Sequence, residues 1–162
     1  MNIILRRTLR SDLDFVITAE QANSSFVIAW TREQHKLSLS NKDVAHLIIE
    51  RRDDNKPIGF IILAGLEQPH QSIEFRRIVV VDQGKGCGRA ALRLIKKMAF
   101  DELGAHRLWL DVKEHNLRAR HLYESEGFVV EGVLRECLRQ GNQFESLIIL
   151  SILKSEYQVM NK

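Results

Sequence analysis

The segment Gln83-Gly84-Lys85-Gly86-Cys87-Gly88-Arg89-Ala90 constrains this chain more than any other. It stands between the apolar run Ile78-Val79-Val80-Val81 and a helix-like run from Ala90 to Leu103. A strand that turns into a helix through alternating glycines leaves backbone amides bare at the helix N-terminus. Unpaired N–H groups and the positive end of the helix dipole favour an anion there, phosphate above all. The segment predicts an α/β chain built around a phosphate-bearing ligand.

Two familiar phosphate cradles can be set aside. A Walker loop needs Gly-x-x-x-x-Gly-Lys-Ser/Thr, whereas Lys85 sits between glycines and no hydroxyl residue follows it. The dinucleotide fingerprint needs Gly-x-Gly-x-x-Gly early in a βαβ unit. Here the spacing is Gly84-x-Gly86-x-Gly88, late in the chain and after a hairpin pattern. Arg89, Arg93, Lys96 and Lys97 cluster on and just after the loop, which suits an anionic ligand or, for Lys96 and Lys97, a solvated helix face.

Hydrophobic period and turn residues give the order of elements. Ile3 to Leu9 reads as a strand, and Ser11 with Asp14 starts a helix over Asp12 to Ala22. Thr31 with Gln34 has the pattern of a capping box opening a short helix toward Leu39. Leu47 to Arg51 and Ile58 to Leu63 flank the turn Asp53-Asp54-Asn55, and Ile73 to Val81 is the next strand. The glycine loop then leads to a helix with apolar residues at Ala91, Leu94, Ile95, Met98 and Ala99. Arg107 to Val112 is a strand, Asn116 to Ser125 a helix, and Phe128 to Leu134 and Phe144 to Leu153 are closing strands. This is a mixed α/β layout with too few βαβ units for a doubly wound sheet.

The segment Asn116-Leu117-Arg118-Ala119-Arg120-His121-Leu122-Tyr123-Glu124-Ser125-Glu126-Gly127-Phe128 carries the second motif. Asn116 is a strong N-cap, Ala119 and Tyr123 share a helical face, and Gly127 ends the helix. Gln83-x-x-Gly86-x-Gly88, followed by Asn-x-x-Ala-x-x-x-Tyr-x-x-x-Gly-Phe, resembles the acyl-CoA loop and the following helix of the GNAT superfamily of N-acetyltransferases. The closing segment, Glu131 to Leu153, is similar to the branch containing ribosomal-protein N-terminal acetyltransferases (RimJ/RimL-like) and some small-amine enzymes.

The resemblance implies one GNAT domain over residues 1–162. Its sheet would have seven strands, mostly antiparallel, with parallel strands 4 and 5 splayed and about four flanking helices. It implies transfer of acetyl from acetyl-CoA to a primary amine by direct attack. Backbone amides from Gln83 through Gly84, Lys85, Gly86, Cys87, Gly88 and Arg89 to Ala90 would cradle the pyrophosphate. Main-chain groups of Ile78, Val79 and Val80 would pair with the pantetheine arm, and Asn116 would support it. Glycine would be needed where a Cβ would collide with the cofactor. Tyr123 would be the general acid, since a phenol of pKa about 10 stays protonated at neutral pH.

The base stays open. Glu74 lies four residues before Ile78, on the same face by the period of two; Asp111, Glu114 and a water chain compete with it. Phe26 and Trp30 are expected to line the acceptor side, facing either the pocket or the core. The acceptor itself is open among a protein N-terminus, a polyamine, an amino acid and an aminoglycoside.

Composition agrees with a globular enzyme and limits the alternatives. Of 162 residues, 44% are apolar and 28% charged, and no apolar run approaches the ~20 residues of a membrane span. A net charge of +3 without a long basic stripe argues against nucleic acid, and the histidines show no metal-ligand spacing. Cys87 and Cys137 are expected as free thiols of a cytoplasmic protein. A homodimer through the C-terminal strands is expected, with a catalytically silent acyl-CoA-binding regulator as the competing function.

Overall fold

The computed structural model describes residues 2–23, 28–81 and 83–162. Its strands are β1 Ile3–Arg7, β2 Val44–Arg51, β3 Lys56–Ala64, β4 Ser72–Val80, β5 Arg107–Lys113, β6 Val129–Gln140 and β7 Gln143–Leu153. They form one sheet in the order β1-β2-β3-β4-β5-β7-β6. Of the paired neighbours only β4 and β5 are parallel. The described helices are α1 Leu13–Gln21, α2 Arg32–Ser38, α3 Cys87–Lys97, α4 Leu117–Ser125 and α5 Lys154–Met160. This is the GNAT fold expected from the sequence, with α5 as an added fifth helix.

Each face of the sheet carries its own core. On one face, Ala91, Leu92 and Ile95 of α3 pack with Phe75, Leu108, Leu110, Tyr123 and Phe128. On the other, Val16 and Ala19 of α1 pack on Ile48, Phe60, Ile62 and Val79. Strands buried on both sides have few polar positions, as the run Phe60-Ile61-Ile62-Leu63 shows.

Several local expectations change. A 3-10 turn at Arg10–Asp12 precedes the first helix, and the Asp12 carboxylate closes that turn by accepting the Leu9 N–H at 2.7 Å while holding Arg6 at 2.8 Å; α1 then starts at Leu13, and Ser11 does not supply its cap. The Thr31–Gln34 capping box forms in both directions. The helix after the glycine loop begins at Cys87 instead of Ala90, and its last turn widens into a π-helix at Met98–Glu102.

Two irregularities of β4 create the site. The strand pairs with β5 only at Ser72–Glu74 against Arg107–Trp109. Beyond that the two strands part, leaving the facing backbone edges of both unpaired within the sheet. A bulge at Arg76 also breaks the alternation: Phe75 lies opposite Leu63, yet Arg77 lies opposite Ile62. Across such a bulge side chains change face. Glu74 and Arg77 therefore lie toward the α1 face, while Phe75 and Ile78 lie toward the α3 face. The expectation that Glu74 and Ile78 share a face is corrected, because the period of two does not survive the extra residue.

Candidate active site

The parted strands open a cleft of about 800 Å³ that reaches both faces of the sheet. On the α3 side its wall is the glycine loop, Gly88, Ala119 and Tyr123; on the α1 side it is Asn23, Ile28, Glu74, Arg77 and Asp111.

The glycine loop is shaped by backbone conformation. Gly84 and Gly86 have φ of 84° and 79°, the left-handed region that a side chain disfavours. Gly86 is the N-cap of α3, and the first helical bond runs from the Ala90 N–H to the Gly86 carbonyl. The Gly88 and Arg89 amides, ahead of that first bond, belong to the helix start where N–H groups have no acceptor within the helix. A Cβ on Gly86 would meet nothing within 4 Å, and one on Gly88 would meet only Leu122 at 3.6 Å. The protein itself thus leaves the space over the loop open, which fits a phosphate-bearing cofactor drawing on backbone donors.

Arg118 was not singled out by sequence reasoning and also belongs to this wall. From the first turn of α4 its guanidinium stands 4.0 Å from the position of a Cβ on Gly84, and it borders the cleft. Its place in the Asn-x-x-Ala stretch was the available signal. Asn116 caps α4 by accepting the Ala119 N–H at 3.2 Å and lines the cleft.

Three members of the basic cluster after the loop share a partner within the protein. Arg89, Arg93 and Lys96 converge on the buried Glu126, at 2.7, 3.0 and 3.1 Å. Lys96 is 4% exposed and also donates to the Glu126 carbonyl. These cations tie α3 to the end of α4; only Arg89 also borders the cleft. Glu126 is held below the usual carboxylate range by Arg89 and Lys96, against the opposing effect of its burial.

Tyr123 lies at the bottom of the cleft, 7% exposed, with its ring against Phe75 and Phe128. Burial, and secondarily the charge of Asp111, push its phenol above the ordinary value. Asp111 opens into the cleft, but the surrounding walls desolvate it, and that effect together with Glu74 raises its carboxyl. Glu74 is held by Arg76 at 2.9 Å. Glu114, the third candidate, does not line the cleft.

The remaining expectations divide. Ile78, Val80, Gln83 and Cys87 line the cleft; Lys85 and Ala90 do not, and the Val79 side chain is buried in the opposite core. Trp30 lies outside the cleft, packed over Arg77 at 5.1 Å, while Ile28 two residues earlier lines it. Phe26 lies outside the described residues.

A strand-parting cleft with a glycine cradle on one face and acids on the other defines an acyl-CoA-dependent transferase. Residues 15–128 match the Acetyltransferase (GNAT) family. The chain belongs to this family and is an N-acetyltransferase that takes its acetyl group from acetyl-CoA. It is 32% identical to the spermidine N(1)-acetyltransferase of Vibrio cholerae, over 96% of this chain and 95% of that one. A putative ribosomal N-acetyltransferase of Bacillus subtilis is 30% identical over 65% of this chain and 58% of its own. Among solved structures, the Vibrio cholerae enzyme in complex with CoA and spermine superposes with a TM-score of 0.86 at 26% identity, covering 97% of this chain and 98% of that one. The Vibrio cholerae enzyme also has a dodecameric structure. No described helix is long and apolar enough to cross a membrane.

Proposed function

We propose that this chain acetylates a primary amine of a small polyamine, in place of the protein N-terminus that the ribosomal branch would favour. The observation that carries this reading is the pair Glu74 and Asp111 on the cleft face opposite the cofactor cradle. Asp111, with Glu74 beside it and held by Arg76, gives the amine's entry an anionic contact and a proton acceptor. The full-length similarity to a spermidine acetyltransferase supports it.

Acetyl-CoA supplies an activated acetyl group and a thiol leaving group. Amides of the loop from Gln83 to Arg89 and the Arg118 guanidinium bind its phosphates, the Ala90 amide being bonded to the Gly86 carbonyl, and the unpaired edge of β4 at Ile78–Val80 aligns its arm. Backbone N–H groups around the Arg76 bulge polarise the thioester carbonyl. Asp111 accepts the amine proton, since its raised carboxyl is the better base and Glu74 is already engaged by Arg76. Tyr123 gives its proton to the departing sulfur. Asn116 sets the start of α4, and so the placing of Tyr123 two turns on.

The same reading places the protein in the cytoplasm, where Cys87 and Cys137 are free thiols, Cys137 exposed. It also places a homo-oligomeric contact at the β6–β7 hairpin, where Val133, Leu134 and Phe144 are exposed. An acceptor panel tests the substrate: acetyl-CoA with spermidine, spermine, an amino acid, an aminoglycoside, and peptides with free N-termini. Polyamines should give the highest kcat/KM by at least tenfold. A peptide as best acceptor would return the chain to the ribosomal branch.

A further inference from the structure

Behind the acceptor side lies a buried polar chain that the reaction does not use. Glu20 on α1 is 1% exposed. One carboxylate oxygen, Oε1, accepts the Trp30 N–H at 2.8 Å and meets His35 Nε2 at 2.9 Å; the other pairs with the Arg77 guanidinium. His35 Nδ1 stands 3.1 Å from His46 Nε2, and His46 Nδ1 stands 2.8 Å from the Thr8 hydroxyl. His35 and His46 are fully enclosed, with both rings packed on Phe60.

One assignment of protons satisfies every member. Thr8 donates to His46 Nδ1, His46 Nε2–H to His35 Nδ1, and His35 Nε2–H to Glu20. All donors then point one way, toward a carboxylate that also holds a cation and a main-chain amide. A chain so complete is rigid, because a half-satisfied buried network is costly. Burial also keeps the His46 imidazole neutral, with its pKa pushed down to about 4.

What Glu20 holds is the acceptor wall. Arg77 borders the cleft immediately after the Arg76 bulge, and Trp30 lies over its guanidinium. Fixing the Trp30 amide anchors the stretch Ile28–Trp30, whose Ile28 lines the cleft. Asn23, just past the end of α1, also borders the cleft and is bound to Ala19 at 2.9 Å and Gln83 at 3.1 Å. We propose that Glu20, backed by His35, His46 and Thr8, is a positioning residue that sets Arg77 and the Ile28–Trp30 wall for the incoming amine. This rests on the amine entering from the α1 face. It assigns no proton transfer to the chain.

The test compares Glu20→Gln with the charge-balanced Glu20→Gln/Arg77→Met, which leaves no buried charge unpaired if the single variant folds poorly. Steady-state kinetics with spermidine and calorimetry with acetyl-CoA are run on both, beside wild type. A misplaced wall should raise the amine KM about tenfold or more, with acetyl-CoA affinity unchanged within about twofold. A purely structural role would lower the melting temperature and the active fraction while leaving the amine KM alone. Unchanged amine KM in a folded variant of either kind overturns the inference and leaves acetyl transfer intact. Absence of wild-type turnover with any amine would overturn the functional reading, and this inference with it.

Discussion

Tyr123 and Asp111 face the cleft from opposite sides of the parted strands, and the Asp111 charge adds to the burial that raises the Tyr123 phenol. Burial and the Asp111 charge hold the Tyr123 proton in place well into alkaline pH. Tyr123→Phe should therefore lower kcat by about 10²–10³ with both KM values within about threefold, as loss of a general acid requires. The Asp111 carboxyl is raised by burial and by Glu74, so the acidic limb of kcat/KM should lie above the usual carboxylate range. Removing the Glu74 charge by Glu74→Gln should lower Asp111 and move that limb to lower pH. If Glu74 were the base, the same change would cost about 10²–10⁴ in rate and abolish the limb. A pH–rate profile of the Glu74→Gln protein separates the two assignments.

Between α3 and α4 the decisive contact is Glu126, which neutralises the buried Lys96 and draws in Arg89 and Arg93. Glu126→Ala leaves an ammonium uncompensated and should cost about 3–5 kcal/mol in urea unfolding, most of it recovered by adding Lys96→Met. This cluster shows where sequence reading stops. The basic residues after the glycine loop looked like ligand contacts, because their partner is thirty or more positions away along the chain. Motifs made of local backbone chemistry were legible: Gly84 and Gly86 in left-handed conformation, Asn116 as a cap, Gly127 at φ 94° closing α4. The Thr31 capping box was legible for the same reason. The face carrying Glu74 was not, since it turns on a one-residue bulge that leaves no mark in the hydrophobic pattern. Nor was the Glu20 chain, whose members come from α1, α2, β2 and β4 and from the stretches that follow β1 and precede α2. At Gly86, alanine should lose about 1–2 kcal/mol to the left-handed conformation and also weaken acetyl-CoA binding in calorimetry.

At the scale of the whole molecule, the two cores meet different fates on acidification. His46 titrates near 4 when folded and near 6.5 when free, so the unfolded chain takes up the proton first. Its contribution is complete above about pH 6.5 and is lost as pH falls toward 4, by up to about 3 kcal/mol. Glu126 is depressed instead, so its contribution persists until pH falls below the ordinary glutamate value of 4.5. Urea unfolding should thus show a first loss of stability between pH 6.5 and 4 that His46→Gln flattens, and a second below it that Glu126→Gln flattens. On the proposed function, the same two-faced sheet brings cofactor and amine from opposite sides to meet where β4 and β5 part. The central claim is acetyl transfer across that gap. It is tested most directly by measuring acetyl-CoA binding and CoA thiol release with spermidine on one preparation. The account predicts saturable binding and one thiol released per acetylspermidine formed. Binding with no thiol release across every amine class would contradict it and make the chain an acyl-CoA-binding regulator.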